Sequence, residues 1–219
     1  LTLLKSDGIY RVCSNDENDG LFKATVGGAG LTGFIVSAKI KLKAIKSNLL
    51  EINYRNFNSF EDFEELLDKN SKSEYAVSWF NCREGKNFRG LMQIANHSQS
   101  NEIIPSKKLV SLPIPSIKLI NKTSKRIFSY LYYKKQSRLE SLNYIDNYIN
   151  FMHPLDRLHN WNKLYGNKGF YQFQCQLPPE ISKEVFKVIL AEINRSGEEP
   201  FLPVLKPLGE IQSLGILSF

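Results

Sequence analysis

Cysteine is scarce in this 219-residue chain: Cys13, Cys82 and Cys175 stand far apart, odd in number and in no C-x-x-C pair. That excludes a disulfide framework and leaves buried free thiols as the default. Histidine lacks metal spacing as well. His153 and His159 lie across Pro154, so one helix face cannot present both, and His97 is remote in sequence; no metal site is expected. No apolar run is long enough to span a bilayer. The first residues carry no Met, no basic n-region and no signal-peptide core. A cytoplasmic or peripheral-membrane location is the expectation. There is no internal repeat and no low-complexity tract. Acid is missing from one long tract, Ile103 to Leu139, which holds Lys107, Lys108, Lys118, Lys122, Lys125, Arg126, Lys134, Lys135 and Arg138.

What is present is an ordinary globular composition, 42% hydrophobic with a net charge of +7, enough for one large domain or two small ones. Leu1–Leu4, then Lys5-Ser6-Asp7-Gly8, then Ile9–Val12 reads as a hairpin entered mid-strand, so the chain is expected to be a fragment whose N-terminal part is missing. Gly28-Ala29-Gly30-Leu31-Thr32-Gly33 satisfies G-x-G-x-x-G, but a dinucleotide fingerprint needs a strand before it and a helix after it. Here Leu21–Val26 looks helical and Phe34–Lys43 alternates like a strand. The glycines close a helix-to-strand corner, and the usual inference fails. Phe34, Val36, Ala38, Ile40 and Leu42 share one face of that strand, expected to be half-buried.

Further along, Leu49–Tyr54, Tyr75–Asn81, Phe88–Ala95, Gly169–Leu177 and Phe201–Leu205 read as strands. Asn58 or Ser59 caps a helix carrying Phe60, Phe63, Leu66 and Leu67, with Glu61 and Asp62 in its first turn. In the acid-free tract, Pro105, Pro113 and Pro115 predict an irregular loop, while Ile127–Tyr133 has helical character. Pro178-Pro179 opens a helix to about Asn194 with Val185, Ile189, Leu190 and Ile193 as its buried stripe, and Gly197 stops it. The class is α+β.

Two stretches carry a resemblance. Asp19 to Val36, with the glycine corner inside it, is similar to the end of the PCMH-type FAD-binding domain of the vanillyl-alcohol oxidase superfamily. His153-Pro154-Leu155-Asp156, Trp161-Asn162-Lys163-Leu164-Tyr165-Gly166 and Gly169-Phe170-Tyr171-Gln172-Phe173-Gln174 resemble the decaprenylphosphoryl-β-D-ribose 2'-oxidase family; Ser78-Trp79-Phe80 and Phe201 to Lys206 follow the same order. The resemblance implies the end of an FAD domain over residues 1–46 and a C-terminally truncated substrate domain of antiparallel sheet and helices over 47–219. It implies oxidation of a sugar CH–OH group, with FAD as cofactor and a polyprenyl-phosphate-linked pentose as substrate. A reductase of the short-chain dehydrogenase type and a membrane surface are implied partners. The family's pyrophosphate loop lies N-terminal to these residues, so the chain alone is expected to hold FAD weakly and not to turn over. An aldonolactone oxidase-like flavoenzyme and a non-catalytic sugar- or lipid-binding remnant are the alternatives.

Under the resemblance, Gly27, Gly28, Gly30, Leu31, Thr32, Gly33 and Ile35 contact the cofactor; a tight packing turn explains the same glycines equally. Lys206, between Leu205 and Pro207, is the implied catalytic cation, able to stabilise a reduced flavin or hold a sugar oxygen; a solvated edge lysine is the plain alternative. Gln172 and Gln174 share a strand face and offer amide donors and acceptors to sugar hydroxyls, or form a solvent-facing polar stripe. Trp79 is either a pocket wall or a core residue. Lys163 stands where the family often has arginine, which removes a bidentate donor from any phosphate grip. The basic tract fits a loop over the substrate mouth that attracts prenyl phosphate, or simple solvation. Nucleic acid is not expected, since no binding module is present.

Overall fold

The computed structural model describes residues 1–82, 88–100, 102–105, 110–111, 120–140, 143–198, 200–209 and 211–218. The chain divides into two units, Leu1–Ala44 with Leu208–Phe219, and Ile45–Pro207. Strands and helices occur together and the main sheets are antiparallel, so the α+β class is observed.

In the first unit, β1 (Thr2–Leu4) pairs antiparallel with both β2 (Tyr10–Val12) and β3 (Phe34–Ser37). The turn between β1 and β2 is the expected one: the Gly8 amide donates to the Lys5 carbonyl, and the Asp7 carboxylate accepts from the Ile9 amide. Helix α1 (Asp19–Thr25) leads into the glycine corner. Leu3 and Cys13 are fully buried. The C-terminal segment joins this unit where the Ile216 amide donates to the Lys23 carbonyl. The strand expected over 34–43 is shorter and is not half-buried. It ends at Ser37, and Phe34, Ile40 and Leu42 are 71, 75 and 84% exposed. Period-two alternation marks a face fit for burial, but burial also needs a covering layer, and the described residues of this unit place none there.

The second unit is built on a five-stranded antiparallel sheet. Its strands are β4 (Leu49–Phe57), β5 (Tyr75–Asn81), β6 (Arg89–His97), β8 (Asn143–Asn147) and β10 (Val204–Leu205), in the order β10-β5-β6-β4-β8. A small parallel pair, β7 (Val110–Ser111) with β9 (Leu158–His159), stands apart from it. Helix α2 (Phe60–Lys69) begins where expected: the Ser59 hydroxyl accepts from the Asp62 amide, satisfying one of the unpaired first-turn donors. Helix α5 (Ser182–Ser196) follows a 3-10 turn at Pro179–Ile181 and ends at Gly197, whose φ of 67° is the left-handed stop that glycine adopts without strain.

Both helices cover one face of the sheet. Phe57, Phe60, Phe63, Phe80, Phe88 and Phe186 form a ring-on-ring core with centroids 5.0–6.3 Å apart. Phe186 is the buried centre of the α5 stripe; the expected Val185, Ile189, Leu190 and Ile193 flank it half-buried. Lys183 ties the two helices by ion pairs to Glu61 at 2.8 Å and Glu64 at 3.4 Å. The hydrogen bond from Lys183 holds the Glu61 carboxyl below its usual range.

The opposite face carries Leu50, Ile52, Tyr54 and Ala95, with Phe151 of the short helix α4 (Tyr148–Met152) packed near its edge. It also receives α3 (Lys122–Ser137), which is longer than the helical stretch expected over 127–133. Asn121 supplies the extension: its side chain accepts from the Thr123 and Ser124 amides while the Ser124 hydroxyl accepts from the Asn121 amide.

Two further expectations are corrected. Gly169–Leu177 is not a strand. It has strand-like alternation, but a strand exists only where a neighbour satisfies its N–H and C=O groups, and none of the described residues is its sheet neighbour. Phe201–Leu205 is strand at Val204 and Leu205, opposite Trp79 and Ser78 of β5, and the Pro203 carbonyl accepts from the Phe80 amide. Cys13 and Cys82 are buried free thiols as expected, whereas Cys175 lies on the unpaired segment and is exposed.

Candidate functional site

The residues expected to bind substrate fall in the second unit, and aromatic contacts connect several of them. Trp79 sits on the α3 side of β5, because side chains alternate and the intervening Phe80 and Ser78 point to the α2–α5 side. Its ring meets Tyr132 of α3 edge-on at 5.2 Å. Tyr132 stacks on Phe128 one helical turn earlier, at 5.6 Å, and Phe128 lies 4.8 Å from Phe201. Phe201 meets Tyr165 at 6.1 Å, and Tyr165 packs on Phe170 at 4.3 Å, with Trp161 5.6 Å from the same Phe170. The Arg89 guanidinium covers the neighbouring Tyr133 ring at 5.0 Å. A ladder of rings thus runs from the middle of the sheet to the 3-10 turn Trp161–Tyr165 that carries Lys163, and on to the start of the Gln172–Gln174 segment.

Trp79 is 6% exposed, and its indole Nε1 has no hydrogen-bond partner among the described residues. A buried donor without an acceptor costs on the order of 1–3 kcal/mol, so this group is polar capacity left over inside an aromatic patch. Burial raises the Tyr132 and Tyr165 hydroxyls above the ordinary phenol range, and it pushes Tyr54 on β4 up to about 12. The neighbouring Tyr132, Tyr144 and Asp146 add to the Tyr54 shift. These phenols stay neutral and act as donors at any physiological pH.

The other expected residues are differently placed. Gln172 and Gln174 are exposed on an unpaired segment whose Tyr171 and Phe173 are 101 and 80% exposed, so no strand fixes the two amides on one face. Lys163 is exposed near the end of its 3-10 turn. Lys206 directly follows β10 and is exposed. Backbone alternation from Val204, which is paired with Trp79, points Lys206 toward the Trp79 side of the sheet edge.

In the first unit, the glycine corner divides into packed and open positions. A Cβ at Gly28 would collide with the Ala24 carbonyl oxygen; one at Gly27 would lie 2.9 Å from Ser218 Cβ, and one at Gly33 2.8 Å from the Leu4 carbonyl oxygen. Internal packing accounts for these three. Thr32 is also engaged: its hydroxyl lies 2.9 Å from that of Thr25, and its carbonyl accepts from the Lys5 ammonium at 2.5 Å. At Gly30, with φ 78°, a Cβ would meet nothing, and Leu31 and Ile35 are 87 and 46% exposed. Close approach of a flat cofactor therefore fits Gly30, Leu31 and Ile35. The donor chemistry there is backbone and apolar surface, suited to a ring edge rather than to a pyrophosphate.

Among the described residues no three His, Cys, Asp or Glu side chains group as a metal site, and no helix is long and apolar enough to cross a membrane. Lys107, Lys108 and Lys118, with the proline-rich stretch expected as an irregular loop, fall largely outside the described residues. Pattern reading did not assign Tyr132 and Phe128 to this patch. Their i, i+4 spacing was a usable signal for a helix face, but nothing local names Trp79 as what that face covers.

No protein-family model matches the chain. A decaprenylphosphoryl-beta-D-ribose oxidase of Mycolicibacterium smegmatis is 32% identical over 225 residues, which cover 95% of this chain and 48% of that relative. The chain thus spans about half the length of the relative it matches. Across nearly all of its own length it is similar to a decaprenylphosphoryl-β-D-ribose oxidase, as the Pro-Leu-Asp, Trp-Asn and Gln-x-Gln motifs imply.

Proposed function

We propose that these residues serve an FAD-dependent oxidoreductase acting on a CH–OH group of a prenyl-phosphate-linked sugar, and that the aromatic patch of the second unit is its substrate surface. The first unit is read as the end of a PCMH-type flavin domain, in which Gly30, Leu31 and Ile35 would lie against the cofactor. FAD, when bound, supplies the acceptor for the hydride of the sugar carbon. The chain's own part is to bind and orient. Gln172 and Gln174 accept from and donate to sugar hydroxyls. Lys206 holds the sugar oxygen and balances negative charge as it develops. Lys163 offers a single cation to the phosphate. A keto sugar would then need a reductase to consume it, which is the place for a partner enzyme.

The observation that supports this reading best is the unpartnered Trp79 indole within a ring ladder that leads toward Lys163, Gln172 and Gln174. Sugars stack on aromatic faces and accept from indole N–H groups, and the patch offers both. Substrate reaching that nitrogen displaces Tyr132. The test uses the chain with Trp161→Phe, so that Trp79 is the single indole. Adding a polyprenyl-phosphate ribose should change Trp79 emission saturably, and Tyr132→Ser should alter the affinity. Unchanged emission in a folded sample overturns the assignment of this patch.

A further inference from the structure

Helix α3 crosses the strands of its sheet. Phe128, Tyr132 and Gln136 are spaced by four, and the spacing continues past the helix end to Glu140. Each step keeps to one side of the helix and advances about 6 Å, close to the roughly 4.8 Å between neighbouring strands. The contacts cross the sheet in that order. Phe128 lies against Phe201, just before β10, and Tyr132 lies against Trp79 of β5. Arg89 of β6 covers Tyr133, and Glu140 meets Asn56 of β4. Trp79 stands opposite Leu91, and Leu91 opposite Asn56, so Trp79 and Asn56 are the two ends of one row on one face.

Glu140 is the first acid after the basic tract, yet its carboxylate is directed at a strand. One oxygen accepts from the Asn56 amide at 3.3 Å, and the other accepts from Asn56 Nδ2. Strand β8 pairs with β4 from Leu49 to Asn53. Further along β4, Glu140 takes the place of the next strand, with a parallel bridge to Tyr54, while Leu139 packs on the cluster that contains Tyr54. Two turn bonds fasten this hook to the helix: the Leu139 amide donates to the Gln136 carbonyl, and the Glu140 amide to the Ser137 carbonyl. The Gln136 side chain in turn hydrogen-bonds the Tyr132 hydroxyl. A contiguous run of bonds thus joins the Glu140 carboxylate to the ring over Trp79.

We infer that Glu140 is a positioning residue for the aromatic patch: by holding Asn56 it pins α3 across the sheet and sets how firmly Tyr132 covers the Trp79 indole. The identity of the ligand rests on the function proposed above; the cover does not. A ligand that must displace Tyr132 binds in proportion to the uncovered fraction, so a weaker hold tightens apparent binding. The test follows Trp79 fluorescence in the full chain with Trp161→Phe. Glu140→Ala should raise iodide quenching at least about twofold and tighten binding of a polyprenyl-phosphate ribose about three- to tenfold. Asn56→Ala should do the same from the strand side, and the double variant should add little to either. Asn56→Ala also carries the comparison where Glu140→Ala does not fold. Glu140→Gln should behave as the parent. Its amide oxygen accepts from the Asn56 amide, and its NH2 can donate to Asn56 Oδ1, which has no partner among the described residues, once that side chain turns over. A purely structural role would lower the urea midpoint without tightening binding. Glu192→Ala, at an exposed acid of α5, should change neither quenching nor affinity. Parent quenching in the folded alanine variants, raised quenching with weaker binding, or a Glu140→Gln variant that behaves as Glu140→Ala overturns the inference. Raised quenching with no binding by the parent or any variant supports the hold on α3 and overturns the substrate assignment instead.

Discussion

Trp79 shows how one residue can satisfy two readings. It packs as a core tryptophan does, against Tyr132, yet keeps an indole N–H that none of the described residues accepts. Tyr54 carries the pH consequence of the same patch. Its folded value of about 12 lies above the ordinary tyrosine value of 10.0, with burial as the main cause. A raised acid favours the neutral folded form, so its contribution is whole below pH 10 and is lost as pH rises through 12, at most about 2–3 kcal/mol. Tyr54→Phe should flatten that part of the stability profile; urea midpoints measured across alkaline pH would show it. The corner glycines separate in the same way. Gly28→Ala forces the new Cβ into the Ala24 carbonyl and should cost about 2–3 kcal/mol. Gly30→Ala meets open space and should cost only about 1 kcal/mol of left-handed strain. Amide-exchange protection of β1 would rank the two.

Among the elements, α2 and α5 were legible because their signals are local. Ser59 caps, Phe60 and Phe63 repeat at helical spacing, and proline opens and glycine closes α5. Truncating Phe186 should therefore be severe, since it faces Phe60, Phe80 and Phe88 at once; Phe186→Ala is expected to lower unfolding free energy by about 3–5 kcal/mol in urea titrations. The segment Gly169–Leu177 alternates like a strand without being one, because alternation is a property of one segment, whereas a strand is a property of two. The site was legible only as residue types. Trp79, Lys163, Gln172, Gln174 and Lys206 could be named in order, but the contact of α3 with Trp79 joins residues more than fifty positions apart and has no local signature. That contact has its own test. In a Trp161→Phe background, Tyr132→Ser should move Trp79 emission to the red and raise its quenching by iodide, and unchanged emission would remove α3 as its cover.

At the scale of the whole molecule, the chain is an α+β protein of two units, one with a partly packed glycine corner between α1 and β3 and one carrying a sheet with an aromatic side. Its similarity to a decaprenylphosphoryl-beta-D-ribose oxidase extends over 95% of its length and over 48% of that relative. The most direct test of the central claim is a chimera in which these residues replace the matching portion of the Mycolicibacterium smegmatis oxidase. Its flavin absorbance would be followed without oxygen as a polyprenyl-phosphate ribose is added. The account predicts that the chimera bleaches and that Lys206→Ala retains its flavin but bleaches at least about a hundredfold more slowly. A folded, flavin-loaded chimera that does not bleach, or a Lys206→Ala variant that bleaches at the parent rate, would contradict it.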